Sequence, residues 1–235
     1  LFIVACAALA AAPAGAFELK PFKDRLFAYP AILESRDGGA YITVDYRELR
    51  DINKRDQVPE RRVNRRYVDL APKKYQSEQA LQTAAGEIRF FVVGNPVNTR
   101  LVTVYVHGRG GDRNQGVNDF SFGGNFNRIK NLMVRNSGIY ITPDGGDLGD
   151  KATARIRLLL EAVFRQVPGA RVVLACGSAG GAVCHSLAHV DQVAMRLAGI
   201  ALLGRSGLKV HKAAGKLDRL EGRLPKRLSG KIGIG

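Results

Sequence analysis

The chain has 235 residues, 36 Lys+Arg against 21 Asp+Glu, three cysteines and no tryptophan. That length suits one large α/β domain or two small ones, and a 46% apolar, 24% charged composition excludes wholesale disorder. Three cysteines exclude a disulfide scaffold, while a formal charge of +15 raises the question of a nucleic-acid or anionic-surface partner.

Residues 1–16, LFIVACAALAAAPAGA, carry no charge and close on Ala14-Gly15-Ala16, a small-x-small triplet. They read as the apolar region and cleavage site of an incomplete secretory signal. A stretch of 16 residues is short beside the ~20 of a membrane span, and Pro13 opposes a core helix. The mature domain is then expected over residues 17–235, in the periplasm or outside the cell. Cys6 leaves with the signal, and Cys176 and Cys184 remain. An oxidising compartment permits a bridge between them. Nothing in the sequence requires it, and both read first as buried packing residues.

Residues 40–46 (AYITVDY), 64–70 (NRRYVDL) and 87–93 (EIRFFVV) have the β-branched and aromatic content of strands. Residues 50–74 hold nine basic and four acidic side chains, net +5. Leu101–Val106 (LVTVYV) is a continuous apolar run, as in a strand buried on both faces. Residues 138–142 (GIYIT), 171–175 (RVVLA) and Leu197–Leu203 (LAGIALL) repeat the type. Helical patterns fill the gaps over 151–166 and 182–194, the first ending before Pro168-Gly169. Strand and helix alternating at this period predict βαβ crossovers and a mostly parallel sheet, with helices on both faces and an antiparallel N-terminal portion.

Two glycine-rich turns follow predicted strands. In Cys176-Gly177-Ser178-Ala179-Gly180-Gly181 a strand runs into Ser178 and a helix leaves at once. Such a turn is sharp, so small residues must flank the serine, and here Cys176 and Gly180 do so. The hydroxyl then stands above the sheet beside the Ala179 N–H, which is placed to stabilise an oxyanion. The earlier turn, His107-Gly108-Arg109-Gly110-Gly111, offers the Arg109 N–H as a second donor. His107 reads as holding this loop by side-chain hydrogen bonds.

These residues resemble the α/β-hydrolase family, in its esterase and phospholipase/carboxylesterase-like branches. The likeness covers about residues 85–204, with Cys176 standing where the family usually has Gly. It implies a nucleophile at Ser178, oxyanion donors at Arg109 and Ala179, and supporting roles for His107, Gly108, Gly177 and Gly180. It further implies a small-molecule acyl ester substrate, an acyl-serine intermediate and no cofactor.

The resemblance also implies a later carboxylate followed by a histidine. His185 and His189 lie on the helix leaving the turn and read as ordinary helix residues. His211 precedes Asp218 and Glu221, the reverse of the implied order, which makes it a weak in-chain base. Residues 231–235 (KIGIG) read as the start of a further core strand, so acid and base are expected beyond residue 235 and the fragment itself is expected to be inactive. A non-catalytic exported binding protein on the same fold is the alternative. Phosphate cradling is disfavoured by the glycine spacing. Asp144, Asp147 and Asp150 read as a turn rather than a metal site, and no His/Cys cluster has zinc spacing. Residues 205–231 add nine basic against two acidic side chains, net +7. With few aromatics in the basic stretches, nucleic acid is not expected, and weak contact with an anionic envelope is the plainer reading.

Overall fold

The computed structural model describes residues 19–204 apart from 24, 26, 27, 29, 30, 40, 52–54 and 58–60. The expected signal segment, His211, Asp218, Glu221 and the expected strand at 231–235 therefore lie outside the described residues.

Two small antiparallel pairs come first. β1 (Ile32–Arg36) pairs with β2 (Tyr41–Val44), and β3 (Asp56–Gln57) pairs with β4 (Arg62–Val63). The short helix α1 (Glu48–Asp51) lies between them in sequence. The main sheet is built from β5 (Gln76–Thr83), β6 (Gly86–Val93), β7 (Leu101–Val106), β8 (Ile139–Pro143), β9 (Arg171–Gly177) and β10 (Leu197–Leu203). Their spatial order is β10-β9-β7-β8-β6-β5. β10, β9, β7 and β8 run parallel, while β6 lies antiparallel to β8 and to β5.

β7 explains why its sequence is apolar throughout: all six of its residues are buried. Val102, Val104 and Val106 face one layer, where they meet Ile156 and Leu160 of helix α4 (Asp150–Gln166) and Val183 and Leu187 of helix α5 (Gly180–Ala188). Leu101 and Tyr105 face the other layer, with Phe126 and Met133 of helix α3 (Asn125–Arg135). Alternate side chains thus serve two helical layers, and each buried valine contributes on the order of 2 kcal/mol. The expected mostly parallel sheet with helices on both faces is what the fold has.

Two local expectations need correction. Residues 64–70 do not form a strand: Arg65–Tyr67 is a 3-10 turn. The Asp69 backbone finds its partners on side chains instead, since its carbonyl accepts from Asn127 Nδ2 (2.8 Å) and Asn131 Nδ2 (2.9 Å) and its N–H donates to Asn127 Oδ1 (3.0 Å). The helix expected over 182–194 starts earlier and breaks. α5 ends at Ala188, Val190 is extended, and a short α6 (Asp191–Ala194) begins with Asp191 in its first turn, where a carboxylate suits the helix dipole. Cys176 and Cys184, whose pairing the sequence leaves open, are both buried and form a disulfide with Cα atoms 6.4 Å apart. The end of β9 and the second turn of α5 bring them within bridging range.

The polar side of α3 was not legible as a helix, yet it anchors the chain N-terminal to the sheet. Lys130 is fully buried, pairs with Asp119 at 2.8 Å and donates to the Val117 carbonyl at 2.8 Å. Burial pushes its ammonium below the usual lysine range, against the opposing pull of Asp119. Asn127 donates to the same Asp119 carboxylate at 2.6 Å, so this acid has partners from two turns of one helix.

Candidate active site

The turn after β9 places Ser178 at φ 45°, a left-handed conformation that a serine adopts only when its surroundings enforce it. Crowding on both sides does so here. A Cβ on Gly180 would lie 2.4 Å from the His107 carbonyl oxygen and 2.7 Å from that of Val106. One on Gly177 would lie 2.7 Å from the Tyr105 hydroxyl. At Gly180, where the obstacles are backbone atoms, only glycine fits, so strand and helix can close on the serine. Ser178 itself is exposed at the end of the strand, and its N–H donates to Leu203 O of β10 at 2.9 Å.

β7 and β9 are neighbours in the sheet, so the two glycine turns meet. A Cβ on Gly108 would stand 3.2 Å from Ser178 Cβ and 3.3 Å from Gly177 O. The Gly111 N–H donates to Gly108 O at 3.1 Å, with Gly110 at φ 73°, which makes residues 108–111 a tight turn having Arg109 at its second position. Ala179 precedes the first turn of α5. Among the described residues, neither the Arg109 N–H nor the Ala179 N–H has a hydrogen-bond acceptor.

His107 is fully buried and locks the earlier turn in place. Its Nδ1–H donates to Gly108 O at 2.7 Å, and its Nε2 accepts the Gly145 N–H at 2.8 Å. That pattern assigns the neutral Nδ1–H tautomer. His107 thus ties the backbone of Gly108 to that of Gly145. Gly145 was not singled out from the sequence, although a Cβ there would come 3.0 Å from His107 Nε2. The signal for it was the Asp144-Gly145-Gly146 turn.

Asp144 has an ordinary role beside it. Its carboxylate accepts the Arg113 N–H at 2.9 Å and pairs with the Arg113 guanidinium at 2.9 Å. Arg113 opens helix α2 (Arg113–Val117) and reaches Glu78 of β5 at 2.7 Å. Asp112 caps that helix, accepting from the N–H groups of Asn114 and Gln115. Gln115 Oε1 in turn accepts the Tyr105 hydroxyl at 2.8 Å beneath the serine turn. Burial pushes this phenol up to about 12.

The later histidines behave as helix residues. His185 is part-buried on α5, its ring packs 4.5 Å from that of His189, and His189 Nδ1 donates to the His185 carbonyl at 2.8 Å. The described residues thus bring together Ser178, Ala179, Arg109, His107, Gly108, Gly177 and Gly180, while His211 and Asp218 fall outside them.

A mixed six-stranded sheet with helices on both faces, and a strained serine at the carboxyl end of a central strand, defines the α/β-hydrolase fold. Among solved structures the chain is similar to the feruloyl esterase module from Clostridium thermocellum, determined as a mutant complexed with sinapinate. The TM-score is 0.51 at 14% identity, over 72% of this chain and 68% of that one. It is also similar to a thermostable carboxyl esterase from Bacillus coagulans in complex with glycerol, at TM-score 0.44 and 16% identity. That match covers 63% of this chain and 51% of the Bacillus enzyme, so the chain spans about half of its length. No family model matches the sequence, and no curated protein matches it either.

Proposed function

We propose that the chain carries the nucleophile and oxyanion donors of a serine hydrolase that cleaves ester-like acyl bonds. The observation that carries this reading is Ser178 at φ 45°, exposed at the strand end, with two acceptor-free N–H groups on the turns that meet there. In the proposed reaction Ser178 Oγ attacks the acyl carbon and its proton passes to a base. The Ala179 and Arg109 N–H groups hold the oxyanion, each worth about 10²-fold in rate. Collapse expels the alcohol and leaves an acyl-serine, which water then hydrolyses.

The base comes from outside the described residues. Both ring nitrogens of His107 are taken by Gly108 and Gly145, His185 is part-buried on α5 with its ring packed on that of His189, and His189 is turned back onto its own helix. His211 or a histidine of a longer protein fills the role. Export to the periplasm or beyond fits a domain whose two remaining cysteines are joined, since such bridges persist in oxidising compartments.

The test is fluorophosphonate labelling of the full-length protein, followed by peptide mapping. A single adduct on Ser178, abolished in Ser178→Ala, is the expected result. A folded full-length protein that takes no label at Ser178 refutes the reading and leaves a binding protein on a hydrolase fold.

A further inference from the structure

We propose that the Cys176–Cys184 disulfide is a positioning clamp, fixing the start of α5 against the end of β9 and so setting the Ser178 hydroxyl and the Ala179 N–H in register. The proposal rests on the reading of Ser178 as nucleophile.

The bridge spans eight positions in sequence and encloses the whole turn, Gly177, Ser178, Ala179, Gly180 and Gly181 included. Its two ends are rigid for different reasons. Cys176 pairs in register with Val106 of β7 on one side and with Leu202 of β10 on the other. Cys184 is fully buried in the core layer that holds Val183 and Leu187.

What lies between has little rigidity of its own. The helix opens with two consecutive glycines, the poorest helix formers after proline. No side chain caps it, in contrast to α2, where Asp112 accepts two N–H groups. A serine at φ 45°, with two glycines following one residue later, relaxes unless both flanks are held. The sheet holds the first flank, and the disulfide ties the second to it. Both sulfurs are buried, so the bridge is a permanent part of the native turn and not an exposed switch.

The experiment compares the full-length wild type with Cys176→Ala/Cys184→Ala, using p-nitrophenyl acetate well below the lower of the two Tm values. The clamp predicts a kcat lower by about tenfold with KM within about twofold, and fluorophosphonate labelling slowed by the same factor. A bridge that serves stability alone lowers Tm and leaves kcat and the labelling rate unchanged, which overturns the proposal. If the double alanine variant does not fold, Cys176→Ala/Cys184→Val refills the lost volume and is read in the same way. Alkylation of the denatured, unreduced wild type is expected to leave both cysteines unmodified, and alkylation at both also overturns it. A wild type that neither turns over nor labels at Ser178 refutes the nucleophile and the clamp's catalytic role together. An active wild type matched by its variant refutes the clamp alone.

Discussion

The turn after β9 and the turn after β7 meet at Ser178 but are held by different forces. The first is fixed sterically and covalently: Gly180 pressed against two backbone carbonyls, and a cystine around the serine. The second is fixed by one neutral imidazole bridging two backbone groups. Repulsion sets how closely the turns approach, because a close-packed backbone has nowhere to move. Hydrogen bonding sets how the earlier loop is oriented, and it can be removed without creating a clash. The two turns should therefore fail differently when perturbed.

Gly180→Ala attacks the steric side and carries the largest cost to folding. Helix propensity alone would reward this change by about 1 kcal/mol. The new methyl, however, would sit 2.4 Å from His107 O and 2.7 Å from Val106 O, both backbone atoms of fully buried residues rather than tips of flexible side chains. Overpacking wins, and a net loss of about 3 kcal/mol is expected in urea unfolding. A stabilised variant would mean that helix and strand are not pressed together there.

His107→Ala attacks the polar side. It leaves the Gly145 N–H without its partner inside the protein and takes from the Gly108 carbonyl one of its two donors, the Gly111 N–H remaining, at a cost of about 2 kcal/mol. Activity should suffer more than stability suggests, since the loop carrying the Arg109 N–H loses its tether; about tenfold in kcat is expected. Equal kcat in a folded His107→Ala protein would show that the loop orients itself without the imidazole.

The same contrast separates what could be read in the sequence from what could not. β7 and the two glycine turns were legible, because a strand buried on both faces must be apolar throughout and a turn of such closeness favours glycine. β5 was missed because it is a polar, largely exposed edge strand, whose pairing is decided by β6 rather than by its own composition. α3 was missed because its buried face includes Asn127, Asn131 and Lys130, the asparagines bonding each other and Asp69 and the lysine pairing with Asp119, instead of forming an apolar stripe. The bridge between Cys176 and Cys184 needed the early start of α5 at Gly180, and a boundary a residue or two out hides it.

Tyr105→Phe probes the floor beneath both turns and is expected to cost about 1 kcal/mol at neutral pH, through the lost bond to Gln115. Its sharper signature is alkaline. Burial raises the folded phenol from 10.0 to about 12, so above 10 the unfolded chain ionises first and gains stability relative to the fold. The contribution of Tyr105 is intact below that range and is lost as pH rises through about 12. The Tm of Tyr105→Phe should fall less steeply over this interval than that of the wild type. Tyr140, also held well above the ordinary range by burial, retains a residual slope in both. Parallel curves would mean that Tyr105 ionises freely in the fold.

The smallest cost to folding is expected at Arg109, and here two substitutions must be read together. The side chain is exposed, and the oxyanion role belongs to the backbone N–H alone. Arg109→Ala should therefore leave kcat/KM for a neutral ester within about twofold, because alanine keeps the N–H. Arg109→Pro deletes that N–H at a position where proline is otherwise welcome. Residue 109 is the second of a tight turn closed by the Gly111 N–H to Gly108 O, and Gly110 at φ 73° supplies the third-position geometry of a type II turn. Proline favours that second position, and the preceding Gly108 tolerates the restriction it imposes. The fold should survive with its Tm close to that of the alanine variant, while kcat falls by about 10²-fold. If alanine costs as much activity as proline, the side chain and not the amide is at work, and the assignment of Arg109 as an oxyanion donor fails.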